Sequence, residues 1–345
     1  MALTQHLAPH TSLAIDGRCE SIVALTNENA LVDLIAETVE PWVVLGGGSN
    51  VVFASDYPGT IILNQIAGVE CVDESDDHVR VRVGAGENWH QFVLHALERG
   101  WYGLENLALI PGTVGAAPIQ NIGAYGVEMG ECLHSVRAYD TLTKQWQTLS
   151  KGDCQLAYRS SIFKQHIGRW IITQVEFCLS RLPRVNVEYA ELAGLFSQSV
   201  PTPQAVAEAV IAIRSRKLPD PNHYPNAGSF FKNPVISADQ LQAMTARWQT
   251  MNVDQQDVSP IPSWPYGEGF KVSAAWLIER SGWKGKAIGP VGMSSQHALV
   301  LVNRGGTGAQ IVDYAKQVQA SVCELFGVVL EIEPTLVDTR KCGGC

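Results

Sequence analysis

The sequence has no apolar run long enough to cross a membrane, and its first residues, MALTQHLAPHTS, lack the charged and apolar regions of a secretory signal. Basic residues are also in short supply, because 25 Lys and Arg stand against 34 Asp and Glu and give a formal net charge of −9. This balance argues against broad nucleic-acid binding, which needs a basic surface. We therefore expect a cytoplasmic protein that acts on small molecules, binds neither nucleic acid nor membrane, and is a monomer.

Patterns typical of metal sites are absent from the sequence as well. Eight cysteines are scattered along the chain, and the CGGC at residues 342–345 has no second Cys or His pair that would complete a zinc site. Several other cysteines lie in apolar segments, where a buried free thiol is the ordinary outcome. We expect no metal, and a reducing compartment as the location.

What the chain does have is 46% apolar residues over 345 positions, enough for about two or three domains. Apolar periodicity predicts helices over residues 88–100, 203–217 and 309–326. Another helix is predicted to begin at Ser237, because a Gln follows three residues later in a capping-box pattern.

Strands and loops are predicted from the pattern of apolar, polar, Pro and Gly residues in the rest of the chain. Alternating or continuous apolar runs predict strands over residues 78–86, 169–181 and 328–334. Residues 222–236 are expected to form a loop. Residues 250–271, rich in Pro, Gly and polar groups, are expected to form a long excursion.

A glycine-rich turn, LGGGSN, occupies residues 45–50 after a buried strand. Gly46, Gly47 and Gly48 would let backbone N–H groups approach an anion with no Cβ in the way. The stretch is not a G-x-G-x-x-G dinucleotide fingerprint, because the chain continues into another strand and not into a helix. Phosphate binding and a simple tight turn are both open interpretations.

A second unusual stretch, LIPGTVGAAPIQNIGAYGVEMGE, covers residues 109–131 and has neither a helical nor a strand period. It is too apolar for a solvated linker, so we expect either an extended loop laid along a flat ligand or a buried irregular crossover. Small residues in it would allow close backbone approach, and two amides would add hydrogen bonds: Gly112, Gly115, Ala116, Gly123, Gly126, Gln120 and Asn121.

Positive charge is concentrated in IRSRKLPDP, where Arg214, Arg216 and Lys217 end a helix. Cations at a helix C-terminus also suit the macrodipole, so the cluster has a structural explanation beside a phosphate-binding one. Arg159, in AYRSSIFK, is either a solvated arginine or a ligand contact. In NAGSFFKNP, residues 226–234, the hydroxyl of Ser229 stands between a glycine and two phenylalanines, which is typical of a loop held against a ligand.

The stretch LEIEP, residues 330–334, contains two carboxylates. If it is a strand, Glu331 and Glu333 share one face, because side chains alternate. A solvated face explains this pattern as well as a catalytic one does, and periodicity does not say which glutamate would matter.

Taken together, GGGSN, PGTVGAAPIQNIGAYG, YRSSIFK, KLPDP, NAGSFFKNP and LEIE resemble the UDP-N-acetylenolpyruvoylglucosamine reductase family, in the same order and over nearly the whole chain. The family's flavoenzymes make UDP-N-acetylmuramate for the bacterial cell wall. The resemblance implies an α+β fold, with an FAD-binding domain of the vanillyl-alcohol-oxidase (PCMH-type) superfamily in two lobes and a smaller α+β substrate-binding domain. It also implies non-covalent FAD, NADPH as co-substrate, and UDP-N-acetylglucosamine enolpyruvate as substrate.

On this resemblance the FAD-binding domain spans residues 13–183, and a lid loop with a connecting helix spans 184–218. The substrate-binding domain spans residues 219–331, and a C-terminal return segment spans 332–345.

The resemblance also implies the site residues. Arg159, Ser229 and Glu333 match the family's catalytic arginine, proton-donating serine and catalytic carboxylate. The substrate-binding candidates are Tyr189, in VEYAEL where longer members carry a lid tyrosine, and Arg214, Lys217 and Asn233 for the diphosphate. The cofactor-binding candidates are Gly46, Gly47, Gly48, Ser49, Asn50, Pro111, Gly112, Thr113, Gly115, Ala116, Asn121, Gly123, Ala124, Tyr125 and Gly126.

Two alternatives belong to other classes of protein. An FAD-dependent oxidase of the same superfamily would use the same fold, although many such oxidases tether the flavin to a histidine near the phosphate loop, and here Ser49 and Asn50 follow the glycines. A non-catalytic nucleotide-sugar binding protein would need no hydroxyl, arginine and carboxylate in matching motifs.

Overall fold

The computed structural model of the chain describes residues 3–251 and 259–337. The CGGC at residues 342–345 therefore lies outside the described residues, as does part of the excursion expected over 250–271. The chain divides into two compact units. Unit 1 comprises Met1–Gln5, Cys19–Gly48 and Pro58–Arg216, and unit 2 comprises His6–Arg18, Ser49–Tyr57 and Lys217–Cys345.

The α-helices of the described residues are Leu31–Glu37 (α1), Trp89–Glu98 (α2), Ile162–Gln165 (α3), Ala190–Leu195 (α4), Pro203–Lys217 (α5), Ala238–Met251 (α6), Ala274–Arg280 (α7) and Gly308–Phe326 (α8). The strands are Gln5–His6 (β1), Arg18–Leu25 (β2), Trp42–Leu45 (β3), Val51–Phe53 (β4), Tyr57–Asn64 (β5), Val69–Glu74 (β6), His78–Gly84 (β7), Gly123–Ala124 (β8), Val127–Glu128 (β9), Leu133–Asp140 (β10), Gln145–Ser150 (β11), Trp170–Ser180 (β12), Asn226–Ser229 (β13), Val235–Ile236 (β14), Ser263–Tyr266 (β15), Gly269–Val272 (β16), Ala287–Ile288 (β17), Val291–Met293 (β18), Val300–Asn303 (β19) and Thr335–Val337 (β20).

Unit 1 is built on two sheets. One is antiparallel, with the strand order β11-β10-β12-β7-β6, and the other has the order β1-β2-β5-β3. In β7 the apolar residues Val79, Val81 and Val83 are fully buried and alternate with half-exposed arginines, as expected for a sheet with one covered face. Helix α2 contributes Trp89 and Phe92 to the same core, where both rings contact Phe177 of β12 edge-on or tilted.

Unit 2 contains a four-stranded sheet of order β13-β19-β18-β17 and a three-stranded sheet of order β14-β16-β15. Helix α8 begins with a capping box formed by Thr307 and Gln310, and it ends at Gly327, whose φ of 71° suits a residue without a Cβ. The apolar side of α8 packs into the core of this unit. Strand β20 pairs in parallel with β4, so residues from both ends of the sequence meet in one small sheet.

The predicted helices are confirmed within one or two residues as α2, α5, α8 and α6. At the start of α6, Gln240 N–H donates to Ser237 Oγ and Ser237 N–H donates to Gln240 Oε1. The strands predicted over residues 78–86 and 169–181 are confirmed as β7 and β12.

Three predictions of local structure are wrong. Residues 222–236 are not a continuous loop, because residues 226–229 pair with β19 as β13 and residues 235–236 form β14. The described end of the 250–271 excursion is the β15–β16 hairpin. Residues 328–334 form no strand, since Ile332 makes a single bridge and Pro334 lacks a backbone N–H; the strand begins only at Thr335.

Candidate active site

Two predicted cofactor loops of unit 1 lie against each other. A Cβ placed on Gly46 would lie 2.2 Å from Thr113 Oγ1, and one placed on Gly47 would lie 3.0 Å from Gly112 Cα. The first distance is shorter than real Cβ contacts and the second is shorter than most of them, so glycine suits both positions. Gly48 has a φ of 59°, which also favours glycine. The turn at residues 46–48 is therefore packed against the second glycine-rich stretch.

The backbone at Thr113 is oriented by a short pairing with the start of α2. Trp89 N–H donates to Gly112 O at 3.1 Å, and Val114 N–H donates to Glu87 O at 2.9 Å. These bonds make Asn88 and Thr113 a non-hydrogen-bonded antiparallel pair, so the N–H of Thr113 points away from residue 88. The pairing fixes the loop that begins at Pro111 and Gly112 and continues through Gly115 and Ala116.

The stretch 109–126 holds several L-residues in the left-handed backbone region. Leu109 has a φ of 59°, Asn121 of 45° and Tyr125 of 48°, and Arg159 of the neighbouring motif has a φ of 53°. Such conformations are uncommon outside glycine and persist where the surrounding contacts impose them. Three of the four, Asn121, Tyr125 and Arg159, are predicted site residues, which suggests that function constrains this region of unit 1.

The side chain of Asn121 shapes this loop from inside. Its Nδ2 donates to Glu128 Oε2 at 2.6 Å, and its Oδ1 accepts from Gly130 N–H at 2.9 Å, while the residue is 2% exposed. Gly123 and Ala124 then form β8, which pairs with β9. Asn121 thus uses its side chain to build the loop.

A cationic cluster surrounds the end of the same loop. Arg159 Nη2 donates to Gly123 O at 3.0 Å, and Arg214 Nε donates to Leu109 O at 3.3 Å. Burial lowers the pKa of Arg214; Tyr125 opposes that shift and Arg159 adds to it. The structure therefore brings together Arg159, Arg214 and Tyr125, three residues that the sequence placed in three separate motifs.

Tyr189 lies at the N-terminus of α4, close to the same cluster. It is 45% exposed, and its ring meets that of Tyr125 edge-on at 5.2 Å. The buried amide of Asn106 joins the two segments, since its Nδ2 donates to Tyr125 O and to Asn186 O, both at 2.8 Å. The segment that carries Tyr189 is thereby attached to the predicted cofactor loop.

In unit 2, the two predicted catalytic stretches are hydrogen-bonded to each other. Glu333 N–H donates to Phe230 O, and Lys232 N–H donates to Glu331 O, both at 2.9 Å. Ser229 ends β13, where it pairs with Val300. The two stretches lie about a hundred residues apart in sequence, yet Ser229 directly precedes Phe230, the residue whose carbonyl oxygen accepts from Glu333 N–H.

The two glutamates do not share an environment. Glu333 is 7% exposed, whereas the side chain of Glu331 is 69% exposed and forms an ion pair with Lys232. The structure distinguishes the two carboxylates by burial and by partner.

The remaining candidates of unit 2 have structural contacts of their own. Asn233 Oδ1 accepts from Ala274 N–H at 2.9 Å, next to the start of α7. Asn50 O accepts from Thr335 N–H at 2.9 Å, at the edge of the β4–β20 pair. Ser49 and Asn50 thus belong to unit 2, as does the half-buried Lys217 at the end of α5, whereas Gly46, Gly47 and Gly48 belong to unit 1.

Within residues 3–251 and 259–337, no group of three or more His, Cys, Asp or Glu side chains could hold a metal ion. None of the helices in this described part of the chain is both long and apolar enough to span a membrane.

Comparison with known proteins gives these sites a context. Residues 20–146 match the model of an FAD binding domain, and residues 220–337 match that of the UDP-N-acetylenolpyruvoylglucosamine reductase C-terminal domain. The UDP-N-acetylenolpyruvoylglucosamine reductase of Dechloromonas aromatica is 47% identical over 339 residues, covering 95% of this chain and 97% of the relative. The chain belongs to this family.

Further UDP-N-acetylenolpyruvoylglucosamine reductases agree with that assignment. The one from Xanthomonas axonopodis pv. citri is 48% identical over 303 residues and covers 86% of this chain and 84% of its own. The crystal structure of the Thermus caldophilus reductase has a TM-score of 0.65 and 23% identity, and covers 98% of this chain and 100% of its own. The predicted fold class, with its FAD-binding domain, is confirmed, and the reductase is favoured over the oxidase and the binding protein.

Sequence reasoning missed some residues that shape the UDP-N-acetylenolpyruvoylglucosamine reductase site. Asn106 lies in a stretch without a distinctive motif, and His90 occupies one position of an amphipathic helix. Nothing in their local sequence shows that they contact residues 19 or more positions away. The dipeptide Trp89-His90 beside a glycine-rich stretch is the one local signal.

Proposed function

We propose that this chain uses NADPH and bound FAD to reduce UDP-N-acetylglucosamine enolpyruvate to UDP-N-acetylmuramate, a step of peptidoglycan precursor synthesis. The observation that carries the proposal is the pairing of the Ser229 stretch with the Glu333 stretch in unit 2. The two paired stretches carry a hydroxyl and a buried carboxyl group, which suits the addition of hydride and proton to an alkene conjugated with a carboxylate.

The residues of unit 1 fit an FAD cofactor. The turn at residues 46–48 offers a backbone surface without side chains, and Cβ atoms added at Gly46 and Gly47 would crowd Thr113 and Gly112 of the neighbouring loop. Such a surface suits a diphosphate held by N–H groups, and the small residues up to Gly126 leave room beside it for a flat ring. We assign cofactor binding to the full set of cofactor candidates named from the sequence, from Gly46 to Gly126.

Bound FAD would supply the hydride that adds to the enolpyruvyl double bond, after its own reduction by NADPH. Arg159 would stabilise the negative charge that develops on the substrate's carboxylate as its double bond is reduced. Glu333, in its protonated form, would donate a hydrogen bond to the same developing charge. Its burial strengthens this interaction, because little water competes for the carboxyl group.

Ser229 would deliver the proton to the adjacent carbon of the substrate. A serine hydroxyl is a weak acid, so its position must compensate. Gly228, with a φ of 69°, turns the chain just before Ser229, and the fully buried rings of Phe230 and Phe231 hold the segment in place after it. The position of the Ser229 hydroxyl is therefore fixed by the turn at Gly228 before it and by the packing of Phe230 and Phe231 after it.

Substrate recognition is assigned to four residues. Arg214, Lys217 and Asn233 would bind the diphosphate of the nucleotide, the two cations by charge and Asn233 through its Nδ2. Tyr189 would close over the substrate, in keeping with its exposed ring at the start of α4.

Cytoplasmic location and a monomeric state complete the proposal. The cysteines of the described residues, 19, 71, 132, 154, 178 and 323, are free thiols, which suits a reducing compartment. Gel filtration of the holoenzyme tests the monomer, because a dimer would elute at twice the 37.5 kDa mass of the chain.

The decisive experiment separates the two half-reactions in Ser229→Ala. Anaerobic NADPH should still bleach the flavin, whereas re-oxidation by the enolpyruvyl nucleotide should slow by about 10²–10⁴-fold, the usual contribution of a general acid. Ser295→Ala, which removes an exposed hydroxyl of the same unit, is the matched control and should behave as the wild type. Loss of the flavin-reduction step in Ser229→Ala would contradict the assigned role.

A further inference from the structure

Leu109 holds a backbone conformation that its side chain disfavours. Its φ of 59° lies in the left-handed region, which is uncommon for a bulky L-residue and costs free energy. It stands immediately before residues 110–113, the loop whose Gly112 and Thr113 lie against Gly47 and Gly46. The direction in which the chain enters that loop is therefore set at Leu109.

Both polar groups of the Leu109 residue are held by side chains from helices. Its N–H donates to His90 Nδ1 of α2 at 3.1 Å, and its carbonyl oxygen accepts from Arg214 Nε of α5 at 3.3 Å. Side chains on two separate helices thus hold one backbone unit, in the way expected where surrounding structure imposes an unfavourable φ.

The contact with Leu109 requires a particular form of the His90 ring. Nδ1 accepts a hydrogen bond only when it carries no proton, so the ring must be neutral with its proton on Nε2. Burial and the positive charge of Arg214 both lower the pKa of His90, which favours this form. The charge that acts on the ring is that of Arg214 on α5. Glu87, three residues earlier in the sequence, accepts from Gly68 N–H through its Oε1, and residues 108–117 carry no ionisable side chain.

We propose that His90 is a positioning residue for FAD: by accepting from Leu109 N–H, its neutral imidazole holds the loop at residues 110–113 in the conformation that receives the cofactor. The inference rests on the proposed cofactor role of that loop. It assigns to His90 no contact with FAD or substrate. Its consequence is that protonation of a single histidine releases the loop and weakens FAD binding.

The test measures FAD binding by three variants and the wild type between pH 8 and pH 5. His90→Asn places an amide oxygen where Nδ1 lies, so it keeps the acceptor but does not titrate. His90→Phe keeps an aromatic ring and removes the acceptor. His166→Asn removes an exposed histidine of the same unit and is the control. The readouts are the FAD dissociation constant from flavin fluorescence and the visible-region circular dichroism of the bound flavin.

In the wild type and in His166→Asn, FAD affinity should be constant at pH 7–8 and fall at acid pH, below the ordinary imidazole pKa of about 6.5, because the lowered pKa of His90 delays its protonation. His90→Asn should bind FAD at neutral pH nearly as the wild type does, without this acid-side loss. His90→Phe should bind about ten- to a hundredfold more weakly at every pH, because a buried N–H loses its partner. Its flavin dichroism should change at saturating FAD.

Two results would overturn the inference: a wild-type acid-side loss that persists in His90→Asn, or a His90→Phe variant with wild-type affinity and dichroism. A wild-type protein that binds no FAD at all would instead overturn the proposed function. Far-ultraviolet circular dichroism at each pH checks that the variants are folded, and His90→Asn decides the question even if His90→Phe does not fold.

Discussion

The close approach of the two glycine-rich loops in unit 1 leads to a quantitative prediction for Gly47→Ala. The new Cβ would lie 3.0 Å from Gly112 Cα, 3.4 Å from its carbonyl carbon and 3.7 Å from its nitrogen. Comfortable contacts between carbon atoms begin at about 3.5 Å, so the loops must separate by roughly 0.5 Å. All three Gly112 atoms belong to the backbone, so no side chain can rotate away to relieve the clash.

Overpacking of this kind costs about 1–3 kcal/mol. We expect this cost to fall mainly on the FAD-bound state, in which both loops must face the cofactor. At 1.4 kcal/mol per tenfold change in affinity, the FAD dissociation constant then rises by about 5- to 140-fold. Flavin fluorescence titration measures this rise, and thermal unfolding of each variant measures any general loss of stability.

Gly194→Ala is the matched control for this substitution. Gly194 lies within α4, and a Cβ there would meet no heavy atom of the described chain within 4 Å. Alanine should leave FAD affinity unchanged and stabilise the helix by up to about 1 kcal/mol. Wild-type FAD affinity in Gly47→Ala would refute the reasoning, since the loops would then tolerate a side chain where the geometry leaves no space.

The remaining predictions concern carboxylates. Glu331→Gln should leave turnover essentially unchanged, because the Glu331 side chain is 69% exposed and pairs with Lys232, whereas Glu333→Gln should lower turnover by about 10²–10³-fold. Equal effects on steady-state kinetics would contradict the distinction between them. Asp140 donates no proton at neutral pH, because Arg169 holds its pKa at about 2, below the usual 3.8. Its contribution to stability, roughly 2 kcal/mol, should therefore be present above about pH 4 and be lost as the pH falls towards 2. Urea unfolding from pH 6 to pH 2 should show this loss in the wild type and not in Asp140→Asn, and parallel curves for the two proteins would exclude it.

Much of the secondary structure could be predicted from the sequence, because local periodicity carries it. The helix that begins after Ser237 shows its cap in four residues, and α8 shows an apolar face over five turns. The family's motifs likewise identify Ser229, Arg159 and Glu333 as candidate site residues. Each of these signals lies within a short stretch of chain.

What could not be predicted depends on contacts between distant residues. Residues 226–229 form a strand because β19, some seventy residues later, supplies the partner that their own Gly and Ser do not suggest. Glu331 and Glu333 differ in that Lys232 pairs with the first, whereas the second is only 7% exposed. The φ of Leu109 is imposed by His90 and Arg214, and a single sequence records none of these pairings.

Unit 2 is assembled from separate parts of the sequence. This limits which fragments of the protein can be produced with all of their contacts. Asn303 donates to Leu13 O at 2.8 Å, and β20 pairs with β4, so both early segments are built into a body formed mostly by the second half of the chain. A recombinant fragment starting at residue 217 would lack the neighbour of β20 and the acceptor of Asn303. During synthesis, those early segments lack their partners until almost the entire polypeptide has been made.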